Sequence, residues 1–172
     1  MEAKERRRII VQALSQTTQP VSAGILANRC GVSRQIIVGD IALLRAGGVE
    51  ITATPRGYVL PRERTGVLRT IVCNHTREEM IRELEIMVDN GCTVLDVDID
   101  HPVYGHLTAP LHLSSRYDVQ QFAEKVNSRE ARPLSDLTEG LHLHHLQCQD
   151  EEAFQRVAEQ LRVIGILYEE NE

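Results

Sequence analysis

The stretch Leu141-His142-Leu143-His144-His145-Leu146 constrains the fold of this chain more than any other. Apolar residues and histidines alternate there with the period of a β-strand, not of an amphipathic helix. As a strand it points His142 and His144 to one face and His145 to the other. Two imidazoles side by side on a sheet face can hold a divalent metal, or can be an ordinary hydrogen-bonded pair. The choice depends on whether the rest of the chain brings further ligands to that face.

A chain of 172 residues has room for two small domains. It contains no apolar run long enough to span a bilayer, and Met1-Glu2-Ala3-Lys4-Glu5-Arg6 lacks the apolar centre of a signal peptide. The expected compartment is therefore the cytoplasm. Cys30, Cys73, Cys92 and Cys148 form no C-x-x-C pair and are expected as reduced, mostly buried thiols. The net charge of −6 conceals an asymmetry, because residues 1–61 carry +4 and the remainder −10. A basic piece joined to an acidic one predicts two domains with different partners.

The basic piece, residues 1–61, reads as helix, helix, tight turn, helix and β-hairpin. The first helix runs from Glu2 to Thr17 with Ile9, Ile10, Ala13 and Leu14 as its apolar stripe. Ser22 caps a short second helix that stops at Gly31. Ser33 caps a third helix, Arg34 to Ala46, with Ile37, Ile41 and Leu44 inward, ended by Gly47-Gly48. Two β runs follow, Glu50 to Ala53 and Gly57 to Leu60, around the turn Thr54-Pro55-Arg56-Gly57. This order is a winged helix-turn-helix, whose third helix enters the major groove of double-stranded DNA by its N-terminal end. The expected DNA-binding residues are Ser33, Arg34 and Gln35 there and Arg56 at the wing tip; Arg and Gln suit bidentate readout of guanine and adenine. Gly39 costs the third helix about 1 kcal/mol relative to alanine. Residues 32–45 resemble the winged-helix domain of bacterial ligand-responsive repressors, and Thr54-Pro55-Arg56-Gly57-Tyr58 resembles their wing.

Pro61 to Gly66 is a short polar joint. Residues 66–172 read as an α+β unit, β, α, β, β, α, β, α, β, with helices on a largely antiparallel sheet. The strands are Val67 to His75, Cys92 to Ile99, His106 to Leu113 and Leu141 to Gln149, with a short edge strand at Ile166 to Tyr168. Thr76-Arg77-Glu78-Glu79 is a capping box opening a helix to about Asn90. Asp100 to Gly105 turns the chain, a helix spans Tyr117 to about Arg129, and Asp150 caps the last helix. His75 ends the first strand directly before the capped helix. On that helix Glu83 lies about 40° from Met87, on the border of the apolar stripe, and is the carboxylate best placed to face the sheet. His101, in the turn, either hydrogen-bonds backbone or lines a ligand site. His145 faces away and is read as a non-ligand. His106 and His112 are read as solvent-exposed.

The motif order Cys73-Asn74-His75-Thr76, Val94-Leu95-Asp96-Val97, Asp100-His101-Pro102-Val103-Tyr104-Gly105, Pro133-Leu134-Ser135 and Leu137 to His144 resembles the three-histidine (3H) regulatory domain. The winged helix followed by such a domain resembles the NiaR family of nicotinate-responsive repressors over nearly the whole chain. That resemblance implies an HPr-like fold for the second domain. It also implies one divalent transition metal per chain on His75, Glu83, His142 and His144, for which nickel, zinc, iron and cobalt are all suitable. It further implies repression of niacin-uptake and NAD-biosynthesis genes with nicotinic acid as co-repressor, and action as a homodimer. His101 and Tyr104 are the residues expected at the nicotinate site. A metal-responsive repressor in which the ion is the signal, and a repressor with another effector, are the nearest alternatives. A metal-dependent hydrolase is less well supported, because there is no His-Glu-x-x-His helix, no nucleophile beside a plausible base and no Gly-rich phosphate loop. The chain is therefore read as a regulator and not an enzyme. Strand parity puts Leu141 and Leu143, with Leu68 and Val72, on the sheet face away from the histidine pair, an apolar face suited to dimerisation.

Overall fold

The computed structural model describes residues 2–61, 66–128 and 132–169. The chain divides into two compact units, residues 1–63 and 64–172. Residues 62–65 of the expected joint, and Arg129 at the expected helix end, lie outside the described residues.

The first unit has helices α1 (Ala3–Ser15), α2 (Ala23–Cys30) and α3 (Arg34–Ala46) and a hairpin of β1 (Thr52–Thr54) and β2 (Gly57–Val59). The caps set the helix starts: Ser22 Oγ accepts from the Ile25 amide and Ser33 Oγ from the Ile36 amide. Gly31, at φ 63°, ends α2 in the left-handed conformation. Ile10, Leu14, Leu26, Ile37 and Ile41 fill the core. Asp40 is also buried, and its carboxylate takes the guanidinium groups of Arg6 and Arg7, tying α1 to α3. The wing is fastened at its base. Val21 and Tyr58 exchange both backbone hydrogen bonds at 2.9 Å, and a Cβ on Gly57 would stand 2.4 Å from the Val21 carbonyl oxygen. Arg45 donates to the Ile51 carbonyl at 2.7 Å and lies 6.0 Å over the Tyr58 ring.

The second unit is an antiparallel sheet in the order β3-β6-β4-β5, made of β3 (Val67–Asn74), β4 (Cys92–His101), β5 (Gly105–Leu113) and β6 (Leu141–Cys148). Helices α4 (Met80–Asp89), α5 (Arg116–Ser128) and α6 (Glu151–Val163) contribute to one core with Ile71, Cys73, Val94, Leu113 and Leu146 of the strands. The Thr76–Glu79 capping box is present, but it opens a 3-10 turn, Arg77–Glu79, before α4 begins. Leu167 bridges Cys73, so the chain end joins the edge of the sheet beside β3. The turn after β4 shrinks to 102–104, because Asp100 pairs with His106 and His101 with Gly105. A second 3-10 turn, Leu134–Thr138, precedes β6.

One expectation is corrected. Cys92 and Cys148 are not free thiols: they face each other across β4 and β6 with Cα atoms 4.1 Å apart and form a disulfide. The pairing follows from strand register between residues far apart in sequence. Cys30 and Cys73 are free and buried.

Candidate metal centre

Strand parity and one helical turn build a closed constellation. His142 and His144 point from β6 to the helix-covered side of the sheet, and Cys73 pairs with His142 in register. That register places His75, just past β3, beside the start of β6. Glu83, in the first turn of α4, reaches down onto the three imidazoles. Its Oε2 lies 2.8 Å from His75 Nε2, and its Oε1 lies 3.0 Å from His142 Nε2 and 3.4 Å from His144 Nε2. The His142 ring stands edge-on to both other rings, at centroid separations of 4.9 and 4.8 Å. All four side chains are buried.

The outer nitrogens decide what the inner ones can do. His75 Nδ1 is 2.7 Å from the Thr76 carbonyl, His142 Nδ1 2.8 Å from the Gly140 carbonyl and His144 Nδ1 2.6 Å from the Asp96 carbonyl. A carbonyl only accepts, so each Nδ1 carries a proton and donates it. Each Nε2 is then either a lone pair aimed at the Glu83 carboxylate or the second N–H of an imidazolium. A lone pair facing a carboxylate oxygen is repulsive, so the site requires positive charge at its centre, as protons or as a cation. The electrostatics of the four groups point the same way. Burial pushes the Glu83 carboxyl up, but His144 and the hydrogen bonds from the imidazoles hold it well below the usual carboxylate range. Burial opposes charge on His75 and His144, but Glu83 prevails and raises both. The donor set of three imidazole nitrogens and one carboxylate, with Nδ1–H groups bound to second partners, suits a divalent transition metal.

Cys73 is a residue that the alternation in β6 does not disclose. Its Sγ lies within 4.8 Å of donor atoms on Glu83 and His142. Burial, with Glu83 adding to it, pushes the thiol up, so Cys73 is a protonated floor of the site. Its position two residues before His75 on the same strand face is the signal that marks it. The constellation opens into a small pocket of about 40 Å³ walled by Met80, Leu84, Val97, Leu111, Phe122, Pro133, Leu134 and Ser135.

His101 and Tyr104 are not among that lining. They stack on each other at the tip of the β4–β5 hairpin, 4.9 Å between ring centroids, and His101 Nδ1 accepts the backbone amides of Val103 and Tyr104. His145 points to the opposite sheet face, where its Nδ1 meets Asp96 Oδ1 at 2.9 Å. His106 is exposed but carries acidic partners, Asp98 and Asp100, that its place in the sequence does not reveal.

In the first unit, Ser33, Arg34 and Gln35 are exposed together at the start of α3. Arg34 lies over Gly24, its guanidinium 3.2 Å from where a Cβ would be. The outward face of α3 continues through the uncharged Val38, Gly39 and Ala42 to the exposed Arg45. Arg56 sits in the wing turn and donates to Gln19 Oε1 at 3.2 Å.

Residues 68–170 match the 3H domain family, and residues 6–59 match an HTH domain family. The chain is 41% identical to the probable transcription repressor NiaR of Thermotoga maritima over 167 residues, which cover 97% of this chain and 95% of that protein. It is 42% identical to the transcription repressor NadR of Bacillus subtilis over 166 residues, 94% of this chain and 92% of that protein. No helix among the described residues is long and apolar enough to cross a membrane.

Proposed function

The chain belongs to the family of winged-helix, 3H-domain transcription repressors that includes NiaR and NadR, and we propose that it represses NAD-related genes in response to nicotinic acid, sensed at a metal held by His75, Glu83, His142 and His144. The winged helix binds operator DNA through Ser33, Arg34, Gln35 and Arg56, and the protein acts as a homodimer. The observation that carries the metal reading is the fixing of all three Nδ1–H groups by backbone carbonyls, which leaves three buried Nε2 atoms converging on one carboxylate.

A metal held by His75, Glu83, His142 and His144 would supply a Lewis-acid centre for an incoming ligand. Nicotinate offers a carboxylate and a ring nitrogen to such a centre, and the apolar wall with Phe122 and Leu134 suits its flat ring. Nicotinamide lacks the negative charge and binds more weakly at a cationic site. Nickel, zinc, iron and cobalt all suit this donor set.

Calorimetric titration of nicotinate into metal-loaded, chelator-stripped and His142→Ala/His144→Ala protein tests the reading. Nicotinate binds the loaded wild-type protein and neither of the others. Equal affinity in all three would remove the metal from the effector site.

A further inference from the structure

The strand that points His142 and His144 inward points His145 outward, and the sheet gives it company. Its Nδ1 lies 2.9 Å from Asp96 Oδ1 and 3.5 Å from Asp98 Oδ2, and its backbone amide also holds Asp96 Oδ1 at 3.0 Å. From β5, His106 Nε2 approaches the same Asp98 oxygen at 3.3 Å. Asp98 is only 3% exposed. Among the described residues its ion-pair partners are these two imidazoles, which carry charge only when protonated. Its other oxygen, Oδ1, is buried with no hydrogen-bond partner among the described residues. Asp100, beside His106 Nδ1 at 3.2 Å, adds a third carboxylate. One Nδ1 proton on His145 therefore faces two carboxylates, one of them almost wholly withdrawn from water. A buried carboxylate is tolerated when a cation or a full set of donors compensates it.

We propose that Asp96, Asp98 and His145, with His106 at the exposed edge, form a second divalent-cation site on the sheet face opposite the three-histidine centre. One carboxylate oxygen each of Asp96 and Asp98 and one ring nitrogen of His145 lie within 4.8 Å of one another, a span that one ion about 2.0–2.2 Å from each donor bridges with small side-chain shifts. Carboxylates mixed with imidazoles suit zinc, manganese, iron or cobalt, and a magnesium ion would prefer an all-oxygen shell. On binding, His145 takes the tautomer with its proton on Nε2, and the Nδ1 lone pair faces the ion between the carboxylates. Asp96 joins the two centres. Its carboxylate belongs to the outer site, while its carbonyl accepts from Nδ1 of His144 at 2.6 Å. An ion in the outer site thus fixes a residue that orients an inner imidazole.

The test is the number of zinc or cobalt equivalents bound per full-length chain, read by calorimetry and by metal analysis after dialysis. Two equivalents are expected. Asp98→Asn and His145→Gln each abolish one and spare the other, whereas His142→Ala/His144→Ala does the reverse. Because Asp98 is buried and its variant can unfold, His106→Gln serves as a second probe, and it weakens the outer equivalent about tenfold with the circular dichroism unchanged. A single wild-type equivalent that survives both Asp98→Asn and His145→Gln overturns the outer site. A single equivalent lost in those variants but kept in His142→Ala/His144→Ala supports it and refutes the inner centre instead.

Discussion

Gly140 passes so close to His75 that a Cβ on it would stand 2.4 Å from the His75 carbonyl oxygen. The contact lets β6 begin directly beside the end of β3, and it places the Gly140 carbonyl 2.8 Å from His142 Nδ1. Gly140 also has φ 95°, a conformation that side chains disfavour. Gly140→Ala therefore has to push β6 away from His75, which separates His75 from His142 and loosens the bond that orients His142. The expected result is a loss of metal affinity of about 10–100-fold, the range for removal of a partner that orients a ligand. Metal titration of the variant at wild-type affinity would show that this approach does not position the site.

The charge balance at Glu83 sets a pH dependence for the metal-free protein. His75 and His144 are raised above their ordinary 6.5, so their contribution to stability is complete below that value and is lost as pH rises through the raised values. Glu83 is depressed below 4.5, so its contribution is present above that value and is lost as pH falls through the depressed one. The stripped protein is expected to melt at progressively lower temperature as pH rises above 6.5. A metal at the same Nε2 atoms would compete with those protons, so metal affinity is expected to rise over that range, and the melting temperature of the loaded protein is expected not to fall in parallel. Thermal melts with chelator and with metal across the range check both signs; parallel curves would mean that protons and metal do not share the Nε2 atoms.

The sequence discloses these elements unevenly, for physical reasons. Helix starts are legible where a side chain does the capping, at Ser22, Ser33 and Thr76, because the signal is local. The shared face of His142 and His144 follows from the two-residue period alone, and the position of Glu83 follows from one helical turn. The Cys92–Cys148 disulfide and the Arg6–Asp40–Arg7 cluster depend on which strands and helices become neighbours, and no local pattern encodes that. The β4 irregularity between Val94 and Asp98 has the same character. It lets Asp96 serve both sheet faces, where simple alternation would commit the residue to one. His101 and Tyr104 lie in a motif that resembles the family's, yet they stand at a hairpin tip and not in the pocket.

The proposed DNA contacts are of two kinds. Arg34 and Gln35 stand at the exposed start of α3, whereas Arg56 belongs to the wing turn and leans on Gln19. Arg34→Ala and Gln35→Ala are each expected to lose about 1–3 kcal/mol of discrimination at one base pair. Arg56→Ala is expected to weaken binding evenly across sequences and lower the salt slope by about one contact. Footprinting of an operator selected from random duplexes distinguishes them. If Arg34→Ala/Gln35→Ala protein protects the same operator with unchanged selectivity, α3 does not dock by its N-terminal end.

The sheet of the second unit has helices over one face, and the other carries Leu68 and Val72 of β3 opposite Gln147 and Leu143 of β6. Leu68 is 47% exposed and Leu141 38%. Burying such leucines contributes roughly 1.5–3 kcal/mol each when burial is complete, enough for a handful to hold a twofold contact in which the same patch meets itself. Because both side chains already face water within one protomer, charges there strain association far more than folding. Leu68→Glu combined with Leu141→Glu is expected to keep the melting temperature within a few degrees and to convert a dimer to a monomer at micromolar concentration. Operator affinity then falls steeply, since two half-sites are no longer bound by one assembly. Sedimentation velocity of both proteins with metal present reads the outcome directly. A wild-type monomer, or a variant that remains dimeric, would exclude this face as the interface.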